Sequence, residues 1–454
     1  MSISVRFILS LFCCLTIISG FSQKTVQKKD VLHAGPLIGY LEKKEALIWL
    51  QTKNEVELFI EYFNIVNQGK KFRTKKHITK KETGYTASIL LDEVQPGTTY
   101  HYDVYVNRKK VLFTFPTEIT TQTDWRFKMD PSPFKAAFGS CTYINETITD
   151  RPGSPYGGDY QIFESIHKKN PDLMLWGGDN IYLRPADWST RTGYVHRYTH
   201  ARALPELEKL MAGRPNLAIW DDHDFGPNDA NGSFFMKPFA HETFHLFWPN
   251  PPCASFSAGP SLCTAMEFNG IDFFTLDNRS FRTEIWKDTS LRQIFGKEQI
   301  EWLINNLKSS QSPFKMVMVG GQMVSDAAVK ENFANYPEEK KYFFDRLEEE
   351  NIQGVIFLTG DRHFSELSVI KNRKGNTILE ITSSPLTSGV VTPDKENNSH
   401  RVEGSLIEKR SFVLLSFDGK LKARTLAATW FDSDGNELYK YNVTEAEMSP
   451  KKKN

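Results

Sequence analysis

Between about residues 30 and 117 the chain runs through short apolar or alternating stretches separated by turns: ALIWLQT, VELFIEYF, TASILLD, TTYHYDVYVN and VLFTFPT. Runs of this length and spacing predict an all-β sandwich over 30–118. The pattern changes at Phe134, where KAAFGSC, DLMLWGGD, NLAIWDDHD, DFFTLDNRSFR, FKMVMVGGQ and VIFLTGDRH begin to alternate with stretches of helical period. The helical stretches are DYQIFESIHKKN, YVHRYTHARALPELEKLMA, KPFAHETFHLFW, KEQIEWLINNLKSS and EEKKYFFDRLEEEN. Such alternation predicts an α/β domain over 134–445 with strands buried on both faces. Strands return from about Ser411 to Tyr441, with hairpin turns at Asp418-Gly419 and Asp434-Gly435. The insertion from Phe225 to Met266, carrying much Pro, Gly, Asn and Ser, reads as a lid or substrate wall.

The apolar runs of the second unit end in polar clusters. NLAIW passes directly into Asp221, Asp222, His223 and Asp224. A helix N-cap favoured by the helix dipole would need one Asp; three acids around a histidine repel one another unless a cation sits among them. Ligands in open α/β folds gather beyond the carboxyl ends of strands. That rule brings together Cys141, Asp179 with Tyr182, Asp221 to Asp224, Asp277, Gln322, and Asp361 with His363. Thiolate and phenolate on one ion suit an oxidised transition metal, and oxygen-rich surroundings suit Ca²⁺. Two ions bridged by a carboxylate are the usual device for attack on a phosphate ester. Arg279 and Arg282 in DNRSFR, with Arg151, Arg184 and Arg362, are candidate phosphate holders, and ion pairing is the plainer reading for Arg151 and Arg184. Asn228, Asp229 and Asn231 fit either a turn or help for a second ion.

Composition changes this picture little. With 454 residues, 40% hydrophobic and 24% charged, the chain suits about two soluble domains. A net charge of +1 argues against an obligate nucleic-acid or acidic-membrane partner. The first 22 residues, with Arg6, an apolar centre from Phe7 to Ile18 and small residues after it, predict a secretory signal peptide, hence a periplasmic or extracellular protein. That run is too short to span a bilayer, so no transmembrane anchor is expected after signal removal. Cys141, Cys253 and Cys263 then remain, and Cys253 with Cys263 is the expected disulfide.

The ordered series GSC, GGDNIY, WDDHD, LDNRSFR, FGKEQIEWL and LTGDRH resembles the PhoD-like alkaline phosphatase/phosphodiesterase family, within the metallophosphoesterase superfamily. Leu91 to Tyr102 also resembles a corner of fibronectin type III-like domains. The resemblance implies a four-layer αββα sandwich and a binuclear or larger centre holding Fe³⁺ and Ca²⁺. It makes Cys141 and Tyr182 iron ligands, Asp179 the bridging carboxylate, and Asp222, Asp361 and His363 further ligands. His223 would be catalytic, as leaving-group acid or phosphate donor, and Arg279 would hold phosphate. Asp221 and Asp224 would either touch the second ion or orient its ligands, and Gln322 stands where the superfamily often has a ligand histidine. The implied activity is hydrolysis of phosphomonoesters or phosphodiesters by metal-bound hydroxide. A phospholipid- or nucleotide-directed diesterase, and a non-catalytic metal-stabilised surface-binding protein, are the rival readings.

Overall fold

A computed structural model describes residues 24–449 apart from 287, 394 and 395, so the signal peptide expected at 1–22 lies outside the described residues. Seven short strands form one N-terminal sheet, and Leu32–Leu41, Ala46–Thr52 and Thr86–Leu91 form a second. Alternation decides what lies between the sheets: Leu58, Ile60 and Tyr62 on one strand meet Ile48, Leu50 and Ile89 from the other sheet. Tyr100 and Tyr102 belong to this core, so these aromatics pack and do not form a ligand stripe.

The second unit is built from two six-stranded sheets. In the first, Phe134–Gly139, Leu173–Gly177 and Asn216–Ile219 run parallel, and Ser411–Asp418, Thr425–Asp432 and Glu437–Thr444 complete it antiparallel. The second sheet runs parallel through Ile271–Thr275, Lys315–Val319, Val355–Thr359 and Thr377–Thr382. Phe138, Leu175, Leu217 and Val413 from one sheet pack on Phe273, Met316, Leu358 and Ile381 from the other. Each such side chain removed from water contributes about 1.5–3 kcal/mol. The outer face of the first sheet carries helices Gln161–Lys168, Arg191–Arg202, Pro205–Ala212 and Lys237–Phe247; that of the second carries Lys297–Ser309 and Pro337–Glu349. The long helical stretch YVHRYTHARALPELEKLMA is therefore two helices, divided where Pro205 opens the second. Among the described residues no helix is long and apolar enough to cross a membrane.

The two units share a seam. Asn216, which opens the strand leading to WDDHD, donates to the backbone carbonyl of Ile38 at 2.9 Å, and Trp49 Nε1 donates to that of Leu246 at 2.7 Å.

Strands Glu366–Lys371 and Thr377–Thr382 do not stand out in the sequence, because buried Glu366, Ser368 and Glu380 interrupt their apolar pattern. Glu380 is fully buried and accepts the backbone N–H groups of Val324 and Ser325 at 3.1 and 3.2 Å, and also that of Met323. Burial raises its carboxyl from an ordinary 4.5 to about 7. The folded state therefore binds this proton more tightly than the unfolded chain does. Stability from this group is lost as pH rises from about 4.5 to about 7, on the order of 2 kcal/mol. Urea midpoints at pH 5 and pH 7 should show that decline in the wild type and a smaller one in Glu380→Gln.

Candidate metal centre

The carboxyl ends of parallel strands from both sheets converge. Cys141 follows Phe134–Gly139, Asp179 and Tyr182 follow Leu173–Gly177, the acidic cluster follows Asn216–Ile219, and Asp361 and His363 follow Val355–Thr359. Cys141, Asp179, Asp361 and His363 all adopt left-handed backbone, with φ of 61°, 52°, 65° and 58°. Such conformations cost roughly 1–3 kcal/mol each in non-glycine residues and concentrate at ligand clamps. Neighbours hold them: Cys141 N donates to Gly178 O at 3.1 Å, and His363 N to Ser384 Oγ at 3.0 Å.

Within this cluster the ligand atoms of Cys141, Asp179 and His363 all lie within 4.8 Å of one another, as do those of Asp179, Asp222 and His223. Asp179 belongs to both groups. Its Oδ2 accepts from Tyr182 Oη at 3.1 Å and lies 3.6 Å from Cys141 Sγ, while its Oδ1 accepts the His223 backbone N–H at 3.3 Å. The carbonyl of Gly389, 2.7 Å from His363 Nδ1, can only accept, so Nδ1 carries the proton and Nε2 presents its lone pair toward Tyr182 Oη at 3.2 Å. Burial pushes the Cys141 thiol up to about 12. Burial, followed by the charges of Asp222, Cys141 and Asp221, pushes Asp179 well above the carboxylate range. Tyr182 rises too, through burial and Asp179. Asp222 Oδ1, Asp221 Oδ2 and Asp361 Oδ2 are buried with no hydrogen-bond partner. Crowded acids with unpartnered oxygens, a thiol, a phenol and imidazoles are the donor set a cation would satisfy, so the residues present fit bound metal.

WDDHD divides its labour along the turn it forms. Asp222–Phe225 is one turn of helix, Asp221 is its N-cap, and Asp221 and Asp224 complete a reciprocal capping box. The helix-cap alternative therefore describes Asp221 and Asp224. Asp224 accepts the backbone N–H of Asn180 at 3.1 Å and that of Asp221 at 3.0 Å, and burial raises it to about 7. Asp222 belongs to the group with Asp179 and His223 and also to a third group with Asp221 and Glu331, and its Oδ2 is held by the Asp229 amide at 2.7 Å. Burial would raise Asp222, yet His223, Arg279 and that amide together hold it well below its ordinary value. His223 is itself lowered by burial and is neutral at neutral pH, which leaves Arg279 as the persistent cation.

Several expectations are corrected here. Arg279 is not placed to grip phosphate: it is 1% exposed, and its guanidinium hydrogens go to Asp221, to Glu331 and to the Ala230 carbonyl. Arg282 pairs with Glu331 and Arg362 with Glu396, whereas Arg184 makes the ion pair expected of it, with Asp150 at 2.8 Å. Gln322 turns away, donating to Glu366 at 2.7 Å and Thr382 at 3.1 Å, while its amide oxygen accepts from Asn332. Asn228 is exposed; Asp277 pins the DNRSFR turn and the Trp220 indole. Asp361 stands at the same rim but outside the compact ligand groups, 3.6 Å from Arg362. Cys253 and Cys263 are free thiols: Cys263 donates to Gln299 Oε1 at 2.9 Å, and Cys253 Sγ turns to the Pro251 carbonyl at 3.7 Å.

Some site residues escape sequence reasoning. Glu331 neutralises Arg279 and Arg282, Asn278 donates to Asp221 at 2.8 Å, Ser384 touches Cys141 Sγ at 3.2 Å, and Tyr156 Oη lies 3.2 Å from His363 Nδ1. ILEITSSP, another apolar run ending in polar residues, is the signal that would have found Ser384.

Two facing sheets whose strand ends gather thiol, phenol, carboxylate and imidazole into overlapping groups define an α/β protein with a candidate metal centre. Residues 137–430 match the family described as PhoD-like phosphatase, and the chain belongs to that family. Residues 29–123 match a domain of unknown function, DUF7800. Alkaline phosphatase D of Bacillus subtilis (strain 168) is 22% identical over 390 residues, covering 73% of this chain. That match spans 63% of the length of the curated relative. A solved structure titled "Structure of PhoD" superposes with a TM-score of 0.73 at 18% identity, covering 90% of this chain and 92% of that one, which shows a shared fold.

Proposed function

We propose that this protein is an exported, metal-dependent phosphoesterase that hydrolyses phosphomonoesters or phosphodiesters at a binuclear centre. The observation that carries this reading is Asp179, whose carboxylate belongs to two ligand groups at once. On this reading Cys141, Tyr182, Asp179 and His363 would hold ferric iron, and Asp179 with Asp222 would hold a harder ion such as Ca²⁺. Bound metal ions would lower the pKa of water to make a nucleophile and offset charge developing on the phosphoryl group. The layered sheets then correspond to the metallophosphoesterase αββα sandwich, and the N-terminal strands to a fibronectin III-like domain.

The chain's own residues supply the remaining steps. His223, neutral at neutral pH, offers one N–H and one lone pair beside Asp179 and Asp222. It would hold a phosphoryl oxygen or hand a proton to the departing oxygen. Arg279, itself paired with Glu331, holds Asp221 Oδ1 beside Asp222 and so fixes the start of the turn that carries Asp222 and His223.

The test is spectroscopic as well as kinetic. The purified enzyme should hydrolyse p-nitrophenyl phosphate or its bis-ester, lose that activity on chelation, and show a visible charge-transfer band that Tyr182→Phe shifts or removes. A colourless, fully active protein without iron by elemental analysis would overturn the ferric assignment. Purified protein that binds its metals and cleaves no phosphate ester from about pH 6 to 10 would overturn the function.

A further inference from the structure

The chain is nearly neutral as a whole, yet positions 70–81 hold no carboxylate, and Lys or Arg recurs throughout them. This segment lines one edge of the larger N-terminal sheet, because Lys71–Arg73 and His77–Ile78 both pair with the strand Glu57–Asn64. That strand neutralises two of the cations: Glu61 pairs with Arg73, and Glu57 with Lys76 at 2.9 Å. Lys70 and Lys71 lie over the rings of Phe72 and Phe63, at 4.5 and 5.4 Å, which leaves their charge uncompensated. Lys75, Lys80 and Lys81 are exposed and form no ion pair among the described residues; the nearest carboxylate along the chain, exposed Glu82, offsets one of these charges and leaves a net excess of cations.

The same hairpin has an aliphatic tip. Ile65 is 38% exposed and Val66 90%. Asn64 Oδ1 accepts the N–H groups of Val66 at 2.8 Å and Asn67 at 3.3 Å, closing a turn that holds both side chains outward. Ile78, 61% exposed, lies on the same edge. A single exposed valine needs no explanation. Exposed aliphatics thus stand at both ends of an edge that carries uncompensated lysines along its length, Ile65 and Val66 beside Lys70 and Lys71 and Ile78 between Lys75 and Lys80. That pairing is the signal of interfacial binding, in which apolar groups enter the acyl boundary while cations meet headgroup phosphates.

We propose that this hairpin edge docks the protein on an anionic lipid bilayer, with Ile65 and Val66 entering the interface and Lys70, Lys71, Lys75, Lys80 and Lys81 facing the headgroups. A soluble polyanion would meet the same lysines but gain nothing from the aliphatic tip, which is why a bilayer is the occupant. Near-neutrality of the whole chain does not oppose this, because charges farther away than about 8 Å are screened at physiological salt. The surface shares no residue with the metal centre, so it stands independently of the phosphoesterase reading.

The test is cosedimentation of the full chain with phosphatidylcholine vesicles, with and without about one-third phosphatidylglycerol. Binding should require the anionic lipid and weaken as NaCl is raised. The Lys75→Glu, Lys80→Glu, Lys81→Glu variant should lower partitioning at least about tenfold. Ile65→Ser with Val66→Ser should lower it about fivefold or more with the charge unchanged. These substitutions alter exposed side chains, and an unchanged thermal midpoint verifies the fold. Wild-type protein that fails to bind anionic vesicles would overturn the proposal. Binding that the serine variant leaves intact and that soluble polyphosphate abolishes would overturn it too, in favour of a polyanion site.

Discussion

Replacing Asp179 with asparagine should abolish turnover, lowering kcat by about 10³ or more, and should release metal from the purified protein. The size follows from Asp179's double membership: its carboxylate belongs both to the group with Cys141 and His363 and to the group with Asp222 and His223. Losing several kcal/mol of charge stabilisation at the reacting phosphoryl group corresponds to a thousandfold or more in rate. Asparagine keeps the shape and tolerates the left-handed backbone at this position, where φ is 52°, so the loss reports the charge and not a misfolded turn. Elemental analysis beside initial rates checks it. Full activity with unchanged metal content in Asp179→Asn would remove the shared-carboxylate reading.

The second large effect is on stability. Arg279→Met should destabilise the protein by about 3–5 kcal/mol, because Asp221 would be left buried without its cation, while Glu331 would keep only Arg282. Asp221 is already pushed up to about 6, with burial acting against the pull of Arg279. Without the guanidinium it would take up a proton, and the N-cap of the Asp222–Phe225 turn would lose its anchor. Arg279→Lys should recover only part of the loss, since an ammonium cannot reach both carboxylates with parallel N–H donors. Urea midpoints of the three proteins at pH 7 measure this. Equal midpoints for wild type and Arg279→Met would show that the arginine does not hold the turn.

Much of the candidate centre was legible because the residues it gathers come directly after apolar runs. A strand buried on both faces cannot end in Cys141, in Asp179 or in Asp222 without giving each a partner, and the periodicity locates each strand end to within a residue or two. What stayed hidden depends on contacts between segments far apart in sequence. Arg279 looks like a phosphate holder until Glu331, 52 residues later, is seen to occupy its other side. The cysteines ten apart in a turn-rich stretch suggest a bridge until Gln299, on a helix of the second sheet's outer face, takes the Cys263 thiol. The acidic run shows the same limit: sequence supplies its charge, but only the fold shows that Asp221 and Asp224 cap the turn while Asp222 joins the groups around Asp179 and Asp221.

The contact between Asn216 and Ile38 has a bearing on modularity. Asn216 Nδ2 donates to carbonyls of Ile38, Met211 and Arg214, and its Oδ1 accepts from the Trp176 indole at 3.0 Å. One side chain thus ties the N-terminal sandwich to the two neighbouring strands that deliver Asp179 and Asp222. The boundary visible in the sequence near Phe134 is a boundary of pattern and not of cooperativity. Cutting there would strip an acceptor from a buried amide and uncover Trp49's partner surface at Leu246 and Arg202. These contacts make the N-terminal sheets a packed neighbour of the strands that carry Asp179 and Asp222, and the two units should melt in a single transition.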